Sequence, residues 1–162
     1  MPPGPHGLPP KLVERNQRER LVAAMAEACG EKGYAESSVA DIARRAGVST
    51  ASFYRQFKDR RACMLISFDE LFGRLLEALV EACPAEAGPG ERARAGARLA
   101  AQLLAADPPT ARLLSVEILA VGSEGVRAQH EAIEQLTALL SGPGGDPNAS
   151  PPDAAWAVAA AM

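Results

Sequence analysis

The chain has 162 residues, of which 48% are hydrophobic and 4% are aromatic, and its formal net charge is −3. This length and apolar content are enough for a buried core, and they exclude a disordered or fibrous protein. Ala and Leu dominate the composition, whereas alternating runs of Val, Ile and Thr are missing, so helices are favoured over strands. We therefore expect an all-α protein.

No charged N-terminal segment precedes a continuous apolar stretch, and no run of about 18 apolar residues occurs. The sequence thus predicts a cytoplasmic protein without a membrane partner. Its cysteines, Cys29, Cys63 and Cys83, are widely spaced and form no C-x-x-C pair, which argues against a disulfide framework and a zinc site. We interpret them as small buried apolar residues, with a thiol sensor as the alternative.

The charge is distributed unevenly along the chain. Residues 1–61 contain 11 Lys and Arg against 7 Asp and Glu, which gives +4, while residues 62–162 contain 6 against 13, which gives −7. Such asymmetry suits a small basic module that contacts phosphates, attached to an acidic part that stays away from nucleic acid.

The first predicted elements are an arm and a helix. Met1–Pro10 contains five prolines and two glycines, so we expect a disordered arm there. From Val13 to Lys32 the apolar residues recur at helical spacing, and Gly33 supplies the left-handed stop that helices commonly use.

Two short helices follow. Ser38 can cap the second helix, with Asp41 three residues further on as in a capping box, and Gly47 ends that helix. Ser49 can cap a third helix, which extends to Phe57.

The fourth predicted helix begins at an Asp59 cap and carries a long apolar stripe. A break rich in Pro and Gly follows at Pro84–Gly90. Three further helices are predicted at Glu91–Ala106, Pro109–Val121 and Gly125–Leu140. After a flexible loop at Gly142–Pro152, the segment Pro152–Met162 has the pattern of another helix that stops without a cap, so we expect the C-terminal part to be incomplete.

The second and third helices have the dimensions of a helix-turn-helix, because only Ala46–Ser49 separates them. Gly47 takes the turn and Val48 fills the gap between the helices. The third helix, Ser49–Phe57, is then the recognition helix, apolar on one side and polar on the other. Its predicted base-contacting residues are Thr50, Ala51, Ser52 and Arg55.

Residues around this helix are candidates for holding the DNA backbone through hydroxyl, amide and cationic donors. The predicted phosphate-contacting residues are Ser38, Tyr54, Gln56, Lys58 and Arg60. Tyr54 has a second possible role, alone or in addition, as a ring packed on the first helix. We interpret the pair Arg44 and Arg45 as a solvated helix face. Two short helices around a glycine also occur in proteins that do not bind nucleic acid.

The whole stretch from Ser38 to Arg60, SVADIARRAGVSTASFYRQFKDR, resembles the signature of the TetR (tetracycline-repressor-like) family, and the resemblance extends from about Gln17 to Leu76. It implies a helical homodimer whose N-terminal domain binds palindromic operators in double-stranded DNA and whose variable C-terminal domain binds a small ligand that releases the DNA. We therefore predict a transcriptional repressor with a DNA-binding head, residues 11–77, and a ligand-binding and dimerisation body, residues 78–162.

Two positions depart from the family's pattern. Gln56 stands where the family usually has histidine and Arg60 where it has lysine, so we expect phosphate binding to be retained in altered detail. These departures and the net acidity leave open a second hypothesis, a small-molecule-binding helical protein that has lost DNA binding. In the family the last two helices form the dimer, so we expect a homodimer if those helices are complete.

The body shows no catalytic constellation, and we expect neither enzymatic activity nor a cofactor. His130 with Glu131 and Glu134 could form a metal cluster, but a solvated helix face is the preferred interpretation. Glu117 lies in an otherwise apolar run and is a candidate polar anchor in a ligand pocket, or equally a surface charge. By family analogy the fourth to the eighth helices enclose the pocket, and in this sequence they would line it mostly with Leu, Ala and Val, which indicates an unknown apolar or amphipathic effector.

Overall fold

The computed structural model describes residues 9–82 and 88–141, and all regular structure in these two ranges is helical. The expected all-α fold is thereby confirmed. Most of the predicted N-terminal arm, Cys83, the Gly142–Pro152 loop and the Pro152–Met162 segment lie outside the described residues. Among the described helices we find no stretch whose length and hydropathy would suit a bilayer crossing.

The helices follow one another with short connections. In chain order they are α1 (Pro10–Glu36), α2 (Val39–Arg45), α3 (Thr50–Gln56), α4 (Arg60–Ala82), α5 (Pro89–Ala106), α6 (Pro108–Ser115) and α7 (Ser123–Ser141), with a 3-10 helix, Glu117–Val121, between α6 and α7. These bounds agree within a few residues with the predicted ones, except that the helix predicted at Pro109–Val121 ends at Ser115.

Helix α1 lies at the centre of the fold and packs against α2, α3, α4 and α6. Leu21, Met25 and Cys29 are fully buried along it. The buried apolar side chains of the described residues, from α1 to α7, belong to one cluster. The head and the body therefore share a core.

Two of the cysteines are part of this core. Cys29 and Cys63 are buried and form no disulfide. Burial is the main cause that raises the pKa of each thiol to about 12. Because a redox sensor needs a thiolate, this environment supports their interpretation as small apolar residues.

Gly33 interrupts α1 near its C-terminal end. Its backbone has φ of 81° and ψ of 162°, a conformation that residues with a side chain rarely adopt. The predicted stop at Gly33 corresponds to this break, after which one further turn continues to Glu36. The backbone N–H of Tyr34 is consequently free to bond outside α1, and it does so to Glu117.

The prediction of one continuous helix at Pro109–Val121 is wrong. The segment Pro109–Val121 forms α6 and then the 3-10 helix, with a break at Val116. Beyond the break, Glu117 is buried and accepts a hydrogen bond from the Tyr34 N–H, 83 positions earlier in the chain. A tertiary contact thus overrides the local helical pattern.

Helix α4 belongs to both predicted domains. It packs against α1 of the head and against α5, α6 and α7 of the body. The predicted border between residues 77 and 78 lies inside α4, and the division into two domains stays a prediction.

Alanine at Gly33, in the break of α1, and at Gly73, inside α4, should change the free energy of unfolding in opposite directions. At Gly33 a Cβ would meet a positive φ and lie 3.3 Å from a Glu117 carboxylate oxygen, so Gly33→Ala should destabilise the protein by about 1–3 kcal/mol. At Gly73, in α4, a Cβ would meet nothing within 4 Å, so Gly73→Ala should stabilise by about 0.5–1 kcal/mol. Urea denaturation followed by circular dichroism measures both, and effects of the same sign would contradict the backbone described at Gly33.

Candidate nucleic-acid interface

Helix α2 begins with the predicted cap. The Ser38 hydroxyl accepts the backbone N–H of Asp41 at 3.1 Å, and the Asp41 carboxylate accepts the backbone N–H of Ser38 at 3.2 Å, which completes a capping box. Lys32 and Arg44 donate to the same carboxylate at 2.7 and 2.9 Å. These donors, first Lys32 and then Ser38, hold the pKa of Asp41 well below its usual range. The start of α2 is thereby tied to the end of α1.

The turn between α2 and α3 has the predicted form. Gly47 has φ of 62°, and its N–H bonds to the Arg44 carbonyl oxygen at 3.1 Å. The N–H of Val48 bonds to the Ala43 carbonyl oxygen at 3.0 Å, and its side chain is half-buried against the core. Ser49 then caps α3. This arrangement is a helix-turn-helix.

Helix α3 has one buried and one exposed side. Phe53 and the following Phe57 are 0% and 2% exposed and anchor the helix in the core. The exposed side presents Thr50, Ala51, Tyr54 and Arg55. Three of the four predicted base-contacting residues therefore share this side with a predicted phosphate-contacting residue.

Ser52 is placed differently from its prediction. It is 7% exposed, because it lies beside Phe53 on the buried side of α3. Its hydroxyl accepts a hydrogen bond from Arg55 Nη2 at 2.7 Å and lies 3.0 Å from Ser49 Oγ. Ser52 is thus placed to orient the guanidinium of Arg55 rather than to reach a base itself.

The predicted phosphate-contacting residues have different surroundings. Ser38, Tyr54 and Lys58 are exposed, whereas Gln56 is half-buried. The Gln56 amide donates to the Glu14 carbonyl oxygen at 3.3 Å. Tyr54 is 58% exposed, and its ring makes an edge-to-face contact with the neighbouring Phe53 ring; its packing on the first helix stays a prediction.

Arg60 is also placed differently from its prediction. Its guanidinium lies 4.3 Å from the centre of the Tyr34 ring. It donates to the carbonyl oxygens of Tyr34 and Ala35 at 3.1 and 3.3 Å, and to that of Ser37. Carbonyl groups at the end of a helix lack helical partners, which explains why the guanidinium folds back onto them. Arg60 thus joins the start of α4 to the segment before α2.

The two arginines at the end of α2 have different roles. Arg44 is exposed and pairs with Asp41 at 2.9 Å, as expected of a solvated helix face. The side chain of Arg45 is 25% exposed and pairs with α1, through Glu31 and through Glu27 at 3.8 Å. The interpretation as a solvated face therefore describes Arg44 and not Arg45.

Arg18 is a structural residue that the sequence analysis missed. It donates to Glu70 of α4 at 2.6 Å, and its guanidinium lies 5.5 Å from the centre of the Phe57 ring. It therefore connects α1, α4 and the end of α3. Since Arg18 and Glu70 are 52 positions apart, no local pattern points to their contact.

In the body, Glu117 is neither a surface charge nor part of the cavity described below. Its side chain is 9% exposed and pairs with Arg112 Nε at 2.8 Å. Its other carboxylate oxygen accepts the Tyr34 N–H at 2.7 Å. Glu117 therefore connects the body to the end of α1, which local sequence could not reveal.

A cavity of about 350 Å³ lies between α4, α5 and α6. Leu and Ala make up most of its lining, and that this cavity is the expected ligand pocket stays a prediction. The polar residues that line it are Arg74, Asp107 and Thr110. Asp107 also caps α6 by accepting the Thr110 N–H at 3.2 Å.

His130 lies on the exposed side of α7. Its Nε2 is 3.3 Å from the Glu134 carboxylate, one helical turn away, and both side chains are exposed. Within the part of the chain that the structure describes, no group of three or more His, Cys, Asp and Glu is arranged to hold a metal ion. A solvated helix face describes this cluster.

Sequence similarity to known proteins is concentrated in the N-terminal part. A family model described as bacterial regulatory proteins of the tetR family matches residues 21–65. The fatty acid metabolism regulator protein of Bacillus subtilis (strain 168) is 31% identical over 68 residues, 42% of this chain and 35% of that protein. The HTH-type transcriptional regulator BetI of Escherichia coli O139:H28 is 33% identical over 72 residues, 44% of this chain and 37% of BetI. The matches thus span just over a third of the length of these curated relatives.

Solved structures resemble the chain over a longer range. FadR from Bacillus subtilis in complex with stearoyl-CoA superposes with a TM-score of 0.68 at 20% identity, over 88% of this chain and 83% of that one. The fatty acid degradation regulator FadR from Bacillus halodurans superposes with a TM-score of 0.63 at 20% identity, over 81% of this chain and 68% of that one. At such identities the likeness shows the fold, which includes the body as well as the head.

Asp41→Asn should lower the free energy of unfolding near neutral pH, because the amide cannot form the ion pairs with Lys32 and Arg44. The folded state lowers the pKa of Asp41, so the carboxylate stabilises the fold above its unfolded pKa of about 3.9 and loses this effect as the pH falls through the folded pKa. The difference between wild type and variant should therefore shrink below about pH 4. Urea denaturation across this pH range measures it, and a difference that grows on acidification would contradict the described network.

Proposed function

We propose that the chain is a DNA-binding transcriptional regulator of the tetR family, whose model matches residues 21–65 of its N-terminal head. In this proposal it is a repressor: the head, residues 11–77, binds an operator, and a small molecule bound in the body, residues 78–162, lowers the affinity for DNA. The relatives named above are themselves regulators. We propose a binding function and not an enzymatic one.

The exposed side of α3 is the observation that carries this proposal. Thr50, Ala51 and Arg55 lie on it, while Phe53 and Phe57 hold the opposite side in the core. A recognition helix of this kind enters the major groove, where side chains distinguish the edges of the bases. A threonine hydroxyl, a small alanine beside a thymine methyl group and a guanidinium are all suited to such contacts.

Arg55 is the residue that we expect to contribute most to specificity. The Ser52 hydroxyl accepts one of its N–H groups at 2.7 Å, which orients the side chain and leaves other donors for a base. A guanidinium that bonds to both O6 and N7 of guanine discriminates against other bases by about 1–3 kcal/mol.

We propose that the exposed residues Ser38, Tyr54 and Lys58 contact phosphates, which positions the head without specifying a sequence. Gln56 and Arg60 already donate to backbone carbonyl oxygens within the protein, so we assign them to the support of the head. In a homodimer the second head would read a major groove about 34–36 Å away.

We propose that the effector is an apolar or amphipathic small molecule that binds between α4, α5 and α6. The cavity there has a volume of about 350 Å³, which lies within the range of about 300–1,000 Å³ usual for ligand pockets. Its lining is dominated by Leu and Ala, and Arg74, Asp107 and Thr110 supply the few polar groups that can orient a ligand. The complex of FadR with stearoyl-CoA supports an acyl chain as a suitable occupant.

Arg55→Ala should weaken binding to the preferred duplex by about 1–3 kcal/mol, or about 5- to 150-fold in the dissociation constant, and relax the base preference at one position. The wild-type chain would select that duplex from a random library, and fluorescence anisotropy would give the affinities at several salt concentrations. Arg98→Ala, at an exposed position of α5, is the matched control and should leave the affinity unchanged.

Salt dependence separates phosphate contacts from base contacts. Lys58→Ala should weaken binding to all duplexes alike and reduce the log-log salt slope by about 0.9, while Arg55→Ala should change the sequence preference. If the wild-type chain shows no sequence preference, the operator-binding proposal fails and the hypothesis of a small-molecule-binding protein without DNA binding takes its place.

A bulky side chain in the cavity should prevent effector binding. Stearoyl-CoA is a suitable probe, because a ligand present at a hundredfold excess over its Kd stabilises the folded state by about 2.7 kcal/mol, which raises the Tm. Ala78 lines the cavity. In Ala78→Trp the indole would fill the cavity, so stearoyl-CoA should no longer raise the Tm. Ala105→Trp, at an exposed position of α5, should keep it. Equal responses of the two variants would place the ligand elsewhere.

A further inference from the structure

Helix α6 contacts the cavity on one side and α1 on the other. Thr110 and Leu114 line the cavity. Pro109 packs so closely on Gly30 of α1 that a Cβ at Gly30 would lie 3.0 Å from the proline Cβ. Arg112 donates to the Gly30 carbonyl oxygen at 3.5 Å. Helix α6 therefore connects the wall of the cavity to α1.

Just beyond α6, Glu117 binds the interrupted end of α1. One carboxylate oxygen accepts the Tyr34 N–H at 2.7 Å and the other accepts Arg112 Nε at 2.8 Å. The carboxylate can approach because Gly33 has no side chain: a Cβ there would lie 3.3 Å from the nearer oxygen. Glu117 thus occupies the break in α1 and gives the Tyr34 N–H the partner that the helix no longer supplies.

Further contacts lead from Tyr34 to the start of α2. The Tyr34 ring stacks with the Arg60 guanidinium, which also binds the carbonyl oxygens of residues 34, 35 and 37. The Ser37 hydroxyl donates to the Gly33 carbonyl oxygen at 2.7 Å. The next residue, Ser38, is the N-cap of α2. A continuous set of contacts therefore joins α6 to the N-terminal end of α2.

We infer that Glu117, held by Arg112, is a positioning residue that fixes the end of α1 and thereby the orientation in which the head presents α3 to DNA. The effect on DNA binding rests on the proposed function. The contact by which the Glu117 carboxylate fixes the Tyr34 backbone is independent of the proposed function.

Burial distinguishes this contact from a second ion pair between the head and the body. Arg61 of α4 and Glu124 of α7 lie 3.0 Å apart, but their side chains are 49% and 41% exposed, and an exposed pair contributes little. The Glu117 side chain is 9% exposed. Removing its carboxylate leaves the buried Tyr34 N–H without its partner, which is unfavourable.

Amide hydrogen exchange in the full chain tests the first step. Glu117→Ala should speed exchange of the Tyr34 amide by at least about tenfold, while exchange in α5 and α7 stays at the wild-type rate. Glu117→Gln keeps an oxygen that can accept the Tyr34 N–H and should restore most of the protection. Arg61→Ala is the matched control and should change nothing. Unchanged exchange at Tyr34 in Glu117→Ala, or equally faster exchange throughout the core, would overturn the inference.

DNA affinity tests the second step. On the duplex selected by the wild-type chain, Glu117→Ala should raise the dissociation constant at least about fivefold with the salt slope unchanged, because the phosphate contacts themselves remain. An equal loss in Arg61→Ala would overturn the assignment.

A second variant is needed if Glu117→Ala does not fold. Arg112→Met leaves the carboxylate without its guanidinium and should show faster exchange at Tyr34 and weaker DNA binding, both to a smaller degree. The absence of these two effects would count against the inference. A wild-type chain that binds no duplex would end the operator-binding proposal, while the exchange measurement would still decide whether Glu117 fixes α1.

Discussion

The burial of α1 is the constraint on which the rest of the structure depends. Leu21, Val22 and Met25 have no exposed surface, and α1 packs against α2, α3 and α4 as well as against α6 of the body. Because close-packed interiors do not deform continuously, a displacement of α6 has to be either transmitted or opposed at α1. The helix-turn-helix is therefore packed into the common core and is not joined to it by a flexible linker. Its orientation is a property of the whole described fold.

The two helices of the helix-turn-helix are too short to be stable alone. Each has 7 residues, whereas isolated helices shorter than about 12–15 residues are marginal in water. They depend on the caps at Ser38 and Ser49 and on the burial of Phe53 and Phe57. The same burial makes the exposed side of α3 rigid, since the helix cannot rotate without exposing two phenylalanines. Rigid presentation is what the proposed base contacts of α3 need, because such contacts depend on fixed geometry.

The range of each interaction explains what the sequence could predict. The capping box at Ser38 and the turn at Gly47 depend on residues a few positions apart, and the structure has both. Arg60 and Glu117 have partners up to 26 and 83 positions away, and no local pattern encodes such contacts. Ser52 is a different case. Its place beside the buried Phe53 follows from helical periodicity, so its burial could have been predicted from the sequence.

Part of the positive charge of the head is engaged in contacts within the protein. Three of its arginines hold helices together through contacts within the protein: Arg18, Arg45 and Arg60. The exposed cations close to the helix-turn-helix include Arg44, Arg55 and Lys58. Because phosphate neutralisation supplies most non-specific affinity, the contribution of the head to the proposed DNA binding depends on its exposed cations rather than on its total charge. In the proposed homodimer two heads would bind one operator, and the second binding event would be intramolecular. That gain would be lost if the two heads could not reach successive grooves, so an effector that changed the orientation of the head would weaken the proposed operator binding.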